Sequence, residues 1–72
     1  MFMSTRPNVR EKAGQLLDIR SAAIRLDCSE RYIRRLVQER RIPFIRLGGR
    51  KIRFLVVDLD RWVEGQRVEA VR

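Results

Sequence analysis

The sequence has no histidine and a single cysteine, Cys28. Histidine is the commonest general acid–base side chain and a frequent zinc ligand, and one cysteine cannot close a disulfide within the chain. The thiol also lacks a histidine that could activate it as a nucleophile. We therefore expect a binding protein rather than an enzyme, with no metal and no cofactor, in the reducing environment of a cytoplasm.

Long apolar runs are also missing. No stretch approaches the roughly 18 apolar residues of a membrane span, and residues 1–3 are too few to be the apolar core of a signal peptide. A chain of 72 residues forms one domain at most. We expect no membrane and no small-molecule ligand, and a domain over residues 15–65 between flexible tails at 1–14 and 66–72.

Acidic residues are scarce in one third of the chain. Residues 31–53 hold nine basic side chains and one acidic residue, Glu39, so this segment has a net charge of +8, equal to that of the whole chain. The remaining residues are balanced, with eight basic and eight acidic side chains. A charge concentrated in this way predicts a polyanion as partner.

Two short helices are predicted ahead of and within this basic segment. The first has an apolar stripe at i, i+3, i+4 and i+7, with Asp18 as its N-cap and Asp27 in the left-handed conformation at its end. The stripe consists of Ile19, Ala22, Ala23 and Leu26.

The second predicted helix begins after Ser29 as N-cap and runs to about Arg40. Cys28 is placed to pack on Ile33 before the helix, and the buried stripe continues through Leu36 and Val37. Two short helices with so tight a link make a helix-turn-helix.

A β-hairpin is predicted after Pro43, because Gly48 and Gly49 can supply the positive φ angles of a two-residue turn. The pairs expected from that turn are Ile45 with Ile52, Arg46 with Lys51, and Phe44 with Arg53. One face of the hairpin would then be apolar and cover the helices, and the other would be basic. Whether Phe44 covers the first helix or lies exposed stays open.

A third helix is predicted from the spacing of Leu59, Trp62 and Val63. Asp58 and Asp60 lie near its expected start, and Gly65 just after its expected end. Trp62 is expected to pack in the core or on the hairpin rather than stack on a base. The residues before this helix, 55–57, are apolar and offer no capping side chain.

The second helix has what a DNA-recognition helix needs, namely a buried stripe, an outward N-terminal half and flanking cations. Candidates for contacts to base edges or adjacent phosphates are Arg31, Tyr32 and Arg35. Candidates for contacts to the DNA backbone are Arg34, Arg40 and Arg41. The hairpin would be the wing, with contacts from Arg46, Arg50, Lys51 and Arg53 and close approach of its tip at Gly48 and Gly49.

The span from Leu16 to Gly65 resembles the excisionase and MerR-like winged helix-turn-helix domains. The matching segments are Leu-Leu-Asp-Ile-x-x-Ala-Ala at 16–23, Cys-Ser-Glu-Arg-Tyr-Ile-Arg-Arg-Leu at 28–36, Arg-Arg-Ile-Pro at 40–43, Gly-Arg-Lys-Ile-Arg-Phe at 49–54 and Asp-Leu-Asp-Arg-Trp at 58–62. The resemblance implies a mostly α fold with a small hairpin, in the order helix 1, recognition helix 2, two-stranded wing and helix 3. It also implies that the recognition helix is headed by Ser29, Glu30, Arg31, Tyr32 and Arg35, and that residues 49–53 form the wing.

The resemblance further implies a role in site-specific recombination. MerR-type regulators continue into a long dimerisation helix, whereas this chain ends shortly after the third helix, which favours the excisionases of phages and integrative elements. Excisionases bind duplex DNA cooperatively at tandem sites, bend it and direct an integrase toward excision in the bacterial host cytoplasm. Partners would be double-stranded DNA, an integrase and further copies of the chain on DNA. Residues 55–57 depart from the family pattern, in which basic or capping residues are usual, and are a candidate contact surface for protein.

Two other functions stay open. One is a small phage or plasmid transcriptional regulator of the same fold, which would bind a single operator. The other is a protein-interaction adaptor whose basic surface meets an acidic protein. Salt-dependent binding to mixed-sequence DNA would distinguish DNA binding from the adaptor.

Overall fold

The computed structural model describes residues 14–70, so all but one residue of the predicted N-terminal tail, 1–14, lies outside them. Three helices pack on a three-stranded antiparallel sheet with strand order β1-β3-β2. This is the predicted winged helix-turn-helix fold, with one additional short strand. The elements are β1 (Leu16–Leu17), α1 (Ile19–Leu26), α2 (Glu30–Gln38), β2 (Ile45–Leu47), β3 (Lys51–Leu55) and α3 (Val56–Gly65).

Helix α1 begins and ends at the predicted residues. The carboxylate of Asp18 accepts a hydrogen bond from the amide of Ser21 at 2.8 Å, and Asp27 has φ 55° and ψ 50°. The amides of Asp27 and Cys28 donate to the carbonyls of Ile24 and Ala23, at 3.2 and 3.0 Å. This pattern is a Schellman motif, which satisfies carbonyls at the helix end and turns the chain toward α2.

Helix α2 begins at its predicted cap and ends earlier than predicted, at Gln38 rather than near Arg40. The hydroxyl of Ser29 accepts from the amide of Tyr32 at 3.1 Å. The helix stops because Arg40 adopts φ 56°, and a left-handed residue cannot continue a right-handed helix.

The core lies between the helices and the inner face of the sheet. It is made entirely of apolar side chains, and its four largest fully buried members are Phe54, Ile33, Leu36 and Leu59. Cys28, Phe44 and Trp62 are half-buried and pack against it. The question left open for Phe44 is therefore settled in favour of packing on the core.

Strand β1 was not predicted. Leu17 pairs with Phe54 and Leu16 with Leu55, so the start of the domain joins the sheet beside β3. Two residues give no alternating pattern, and their pairing depends on a strand almost forty positions away. The sequence alone therefore offers no local signal for this strand.

The predicted register of the hairpin is wrong by one residue. Ile45 pairs with Arg53, Arg46 with Ile52 and Leu47 with Lys51. Gly48 and Gly49 have the expected positive φ angles, 58° and 78°, and the amide of Arg50 donates to the carbonyl of Leu47 at 3.1 Å. The glycine turn forms, but Arg50 is an extra residue outside the ladder, and such an insertion shifts every partner by one.

The predicted division of the hairpin into an apolar and a basic face is therefore also wrong. Residues directly opposite one another lie on the same face, so Arg46 shares the core-facing side with Ile52. The other side combines the apolar Ile45 with the basic Arg53.

Helix α3 follows β3 with no intervening loop. Leu55 is its N-cap without a side-chain cap, as expected, and the amide of Val56 donates to the carbonyl of Gln15 at 3.0 Å. Val56 is only 2% exposed, so the suggestion of a contact surface at 55–57 is wrong for this residue. Two predictions at the other end of the helix also differ from the structure. Val63, predicted on the apolar stripe, is 44% exposed, and Gly65, predicted to follow the helix, is its last residue.

Candidate nucleic-acid interface

The exposed face of α2 carries the residues predicted to contact bases. Arg31, Tyr32 and Arg35 all lie at the surface. The opposite face of the helix holds Ile33 and Leu36, which are 0% and 1% exposed, so burial fixes which side meets solvent. A shallow open depression runs along the exposed side and is lined by Ser29, Arg31, Tyr32, Arg34, Arg35 and Gln38.

The first turn of α2 combines capping with charge. The carboxylate of Glu30 lies at the positive end of the helix dipole, where an acid is stabilising. It also lies 3.7 Å from Arg34 Nη2 in an i,i+4 ion pair. Ser29 and Glu30 therefore both stabilise the start of the helix. This stabilisation is a sufficient structural reason for the presence of these residue types at the two positions.

The exit from α2 is a second Schellman motif, built on an arginine. The amides of Arg40 and Arg41 donate to the carbonyls of Val37 and Leu36, at 3.0 and 2.8 Å. Glycine is the usual residue at the left-handed position of this motif, because a Cβ there is strained. Arg40 instead places a cation directly after α2.

A carboxylate bridges two of the predicted DNA-contacting cations. Glu39 Oε2 lies 3.5 Å from Arg35 Nε, and Glu39 Oε1 lies 3.2 Å from Arg41 Nη1. Both guanidinium groups remain largely exposed, at 71% and 63% of the side chain. The i,i+4 spacing of Arg35 and Glu39 in the sequence could have indicated the first of these pairs.

The four cations of the wing are placed differently from one another. Arg50 and Lys51 are exposed at the tip and the first position of β3. The guanidinium of Arg46 lies 5.8 Å from the ring centroid of Phe44, within the range of a cation–π contact. Arg53 is half-buried and its Nη1 donates to the carbonyl of Ile52 at 2.8 Å, so it is the least accessible of the four.

A shallow groove joins the end of α2 to the wing. Arg40 and Arg46 contribute to its lining, and Phe44 lies between them in sequence. The remaining lining residues are Ile42 and Pro43. The groove brings a cation of the helix-turn-helix and a cation of the wing to one continuous surface, as a duplex contacting both elements requires.

Helix α3 supports this surface from behind. The indole Nε1–H of Trp62 donates to the carbonyl of Arg41 at 2.7 Å. Asp60 accepts from Arg25 of α1, with its Oδ1 3.0 Å from Nη2. These two contacts tie α3 to α1 and to the segment that follows α2.

Two titratable groups near the helix-turn-helix have shifted pKa values. Hydrogen bonds from Ser21, the backbone amide foremost, hold the pKa of Asp18 below its ordinary value, and the charge of Arg53 adds to this. Burial raises the pKa of the Cys28 thiol, and the Asp27 carboxylate acts in the same direction. Burial thus favours the neutral thiol, and Cys28 packs against the core.

Two interacting helices linked by three residues, a basic outer face on the second and a hairpin beside it define a winged helix-turn-helix DNA-binding domain. A family model described as a helix-turn-helix domain matches residues 16–67, and the chain belongs to this family. No curated protein and no solved structure matches the chain significantly. Membership of this family supports DNA as a partner.

Within residues 14–70, none of the helices has both the length and the apolar character needed to cross a membrane.

Proposed function

We propose that the chain recognises a specific duplex DNA site, with α2 in the major groove and the wing on neighbouring phosphates. The observation that carries this proposal is the exposed face of α2, where a depression lined by three arginines and a tyrosine backs onto a fully buried apolar stripe. Such a face fits the major groove, where arginine pairs with guanine through two hydrogen bonds. In this proposal the chain binds DNA and catalyses no reaction.

Four cations of the proposed interface have no ion-pair partner among residues 14–70. Within the described residues no carboxylate pairs with Arg31, Arg40, Arg50 or Lys51. They lie at the head of α2, at its exit and on the wing, so they can contact separate phosphates or bases along the duplex. This spread supports contacts by both elements of the domain.

Two biological roles use this same surface. In the first, which the sequence resemblance supports, the chain is an excisionase that binds tandem attachment sites cooperatively, bends them and contacts an integrase. In the second it is a small transcriptional regulator that binds one operator. The geometry of α2 and the wing serves both roles equally.

Footprinting on DNA flanking the reading frame, followed by a reconstituted excision assay, distinguishes the two roles. An excisionase protects several closely spaced sites and increases integrase-dependent excision. Protection of one promoter site, with no effect on excision, would establish the regulator instead.

The salt dependence of binding tests the interface common to both roles. If four to six phosphates are neutralised, the logarithm of the association constant should fall against the logarithm of salt concentration with a slope of roughly −4 to −5. A slope near zero on both mixed-sequence and selected DNA would contradict the proposed phosphate contacts.

A further inference from the structure

Glu39 occupies a position where helix stability does not favour it. It caps the C-terminal end of α2, where the helix dipole is negative and a carboxylate is destabilising. The order Arg35 then Glu39 is also the weaker orientation of an i,i+4 pair. Glu30, the other carboxylate of this helix, lies at the opposite end, where its charge is stabilising. Helix stability therefore explains the presence of Glu30 but not that of Glu39.

The contacts of Glu39 are all with the DNA-binding surface. Each of its carboxylate oxygens lies beside a different guanidinium, that of Arg35 at 3.5 Å and that of Arg41 at 3.2 Å. It is also the only acidic residue between positions 31 and 53, where nine basic residues lie. One negative charge thus offsets part of the charge on two cations at the end of the recognition helix.

We propose that Glu39 is a specificity-determining residue. Its carboxylate holds Arg35 and Arg41, and these arginines leave it for DNA only where the contacts that the DNA sequence offers compensate for the lost ion pairs. This inference rests on the proposed role of those two arginines in DNA binding. On a random sequence, a phosphate must displace the Glu39 carboxylate from the arginines, and the two negative groups then repel each other at short distance. On the correct site, Arg35 exchanges the carboxylate for a base edge, and bidentate contacts of this kind discriminate between bases.

The test compares Glu39→Gln with a matched control, Glu64→Gln. Glu64 forms an ion pair with Arg67 at 3.2 Å at the end of α3, outside the proposed interface. Both variants raise the net charge by one, and Glu39→Gln releases Arg35 and Arg41 whereas Glu64→Gln releases Arg67. Affinity would be measured by fluorescence anisotropy on random-sequence duplexes, and on the duplex that the original protein selects from a random pool. Thermal unfolding of both variants confirms that each is folded.

Glu39→Gln should bind random-sequence DNA about 5- to 10-fold more tightly than the original protein, because one further phosphate is neutralised without competition. Its salt slope should become steeper by about 1. Affinity for the selected duplex should change less than about 2-fold, so the specificity ratio should fall by a similar factor of about 5. Glu64→Gln should leave the specificity ratio unchanged.

The inference is overturned if Glu39→Gln and Glu64→Gln have equal affinities for random DNA, or if the selected duplex gains as much as random DNA. In a chain that already carries Arg35→Ala and Arg41→Ala, the further change Glu39→Gln should not increase the affinity for random DNA. An increase that persists in this background would show that the carboxylate does not act through these arginines. If Arg35→Ala and Arg41→Ala alone leave every affinity unchanged, the proposed contacts of these arginines fail. If instead the two glutamine variants bind equally while the alanine variants bind more weakly, only the proposed role of Glu39 fails.

Discussion

The indole of Trp62 donates a hydrogen bond of 2.7 Å to the backbone carbonyl of Arg41, 21 positions earlier in the chain. Arg41 completes the Schellman motif that ends α2, so this bond fixes the segment between the recognition helix and the wing. The third helix therefore positions the proposed DNA-binding surface although it carries none of the predicted contacts.

Replacing Trp62 by phenylalanine should lower the free energy of unfolding by about 1 to 2 kcal/mol, because the Arg41 carbonyl loses its donor while most of the ring packing is kept. Circular dichroism must follow the unfolding, since Trp62 is the only tryptophan and its fluorescence is lost with it. An unchanged midpoint would mean that water replaces the indole without cost.

Arg40→Gly should separate stability from DNA binding. Glycine relieves the strain at φ 56° and should raise the free energy of unfolding by about 0.5 to 1 kcal/mol. DNA affinity should fall for all sequences alike, because a phosphate contact is removed. Arg40→Ala is the control, since it removes the same charge and keeps the strained Cβ. A lower melting temperature for the glycine variant than for the alanine variant would contradict this account.

The cap of α1 should make stability depend on pH in the acid range. The pKa of Asp18 is lower in the folded chain than its ordinary value of 3.8, so its carboxylate stabilises the fold fully above that value. This contribution is lost as pH falls through the lowered folded-state pKa. Asp18→Asn keeps a capping oxygen and should remove this part of the pH dependence, whereas Asp18→Ala should cost about 1 kcal/mol at neutral pH. Urea unfolding at several pH values measures both, and identical pH profiles for the original chain and Asp18→Asn would exclude the effect.

The recognition helix and the wing should respond differently to loss of an arginine. Arg31→Ala should cost about 1 to 3 kcal/mol of binding free energy on the selected site and relax base preference at one position, if it contacts a base edge. Arg50→Ala should weaken binding to all sequences by a similar factor, because it lies at the wing tip and would contact phosphates. Binding to a panel of single-base variants of the site measures the difference, and equal, sequence-independent losses would reject the division.

Local signals in the sequence predicted the helices well. The caps at Asp18 and Ser29 and the left-handed Asp27 were correct because each depends on a side chain and the few amides next to it. The paired glycines likewise predicted the turn and its positive φ angles.

Long-range pairing was not predictable in the same way. The register of the wing depends on whether Arg50 enters the ladder, and with it whether Phe44 or Ile45 shares the side of Ile52; Phe44 does, and it packs on the core. The burial of Val56 depends on the continuation of β3 into α3. Of the candidate site, the exposed face of α2 follows from its apolar stripe. The ion pairs of Glu39 and the ring beneath Arg46 required the three-dimensional arrangement.

The pairing of β1 with β3 has a consequence for how the chain acquires its structure. The two helices of the helix-turn-helix lie, in sequence, between strands that are neighbours in the sheet, so the pair is enclosed by a contact spanning most of the domain. During synthesis, α1 and α2 emerge before Phe54, Val56 and Leu59, which supply a third of the buried core. We therefore expect that α2 does not fold as an independent unit, and that the proposed DNA-binding surface forms only after α3 has been made.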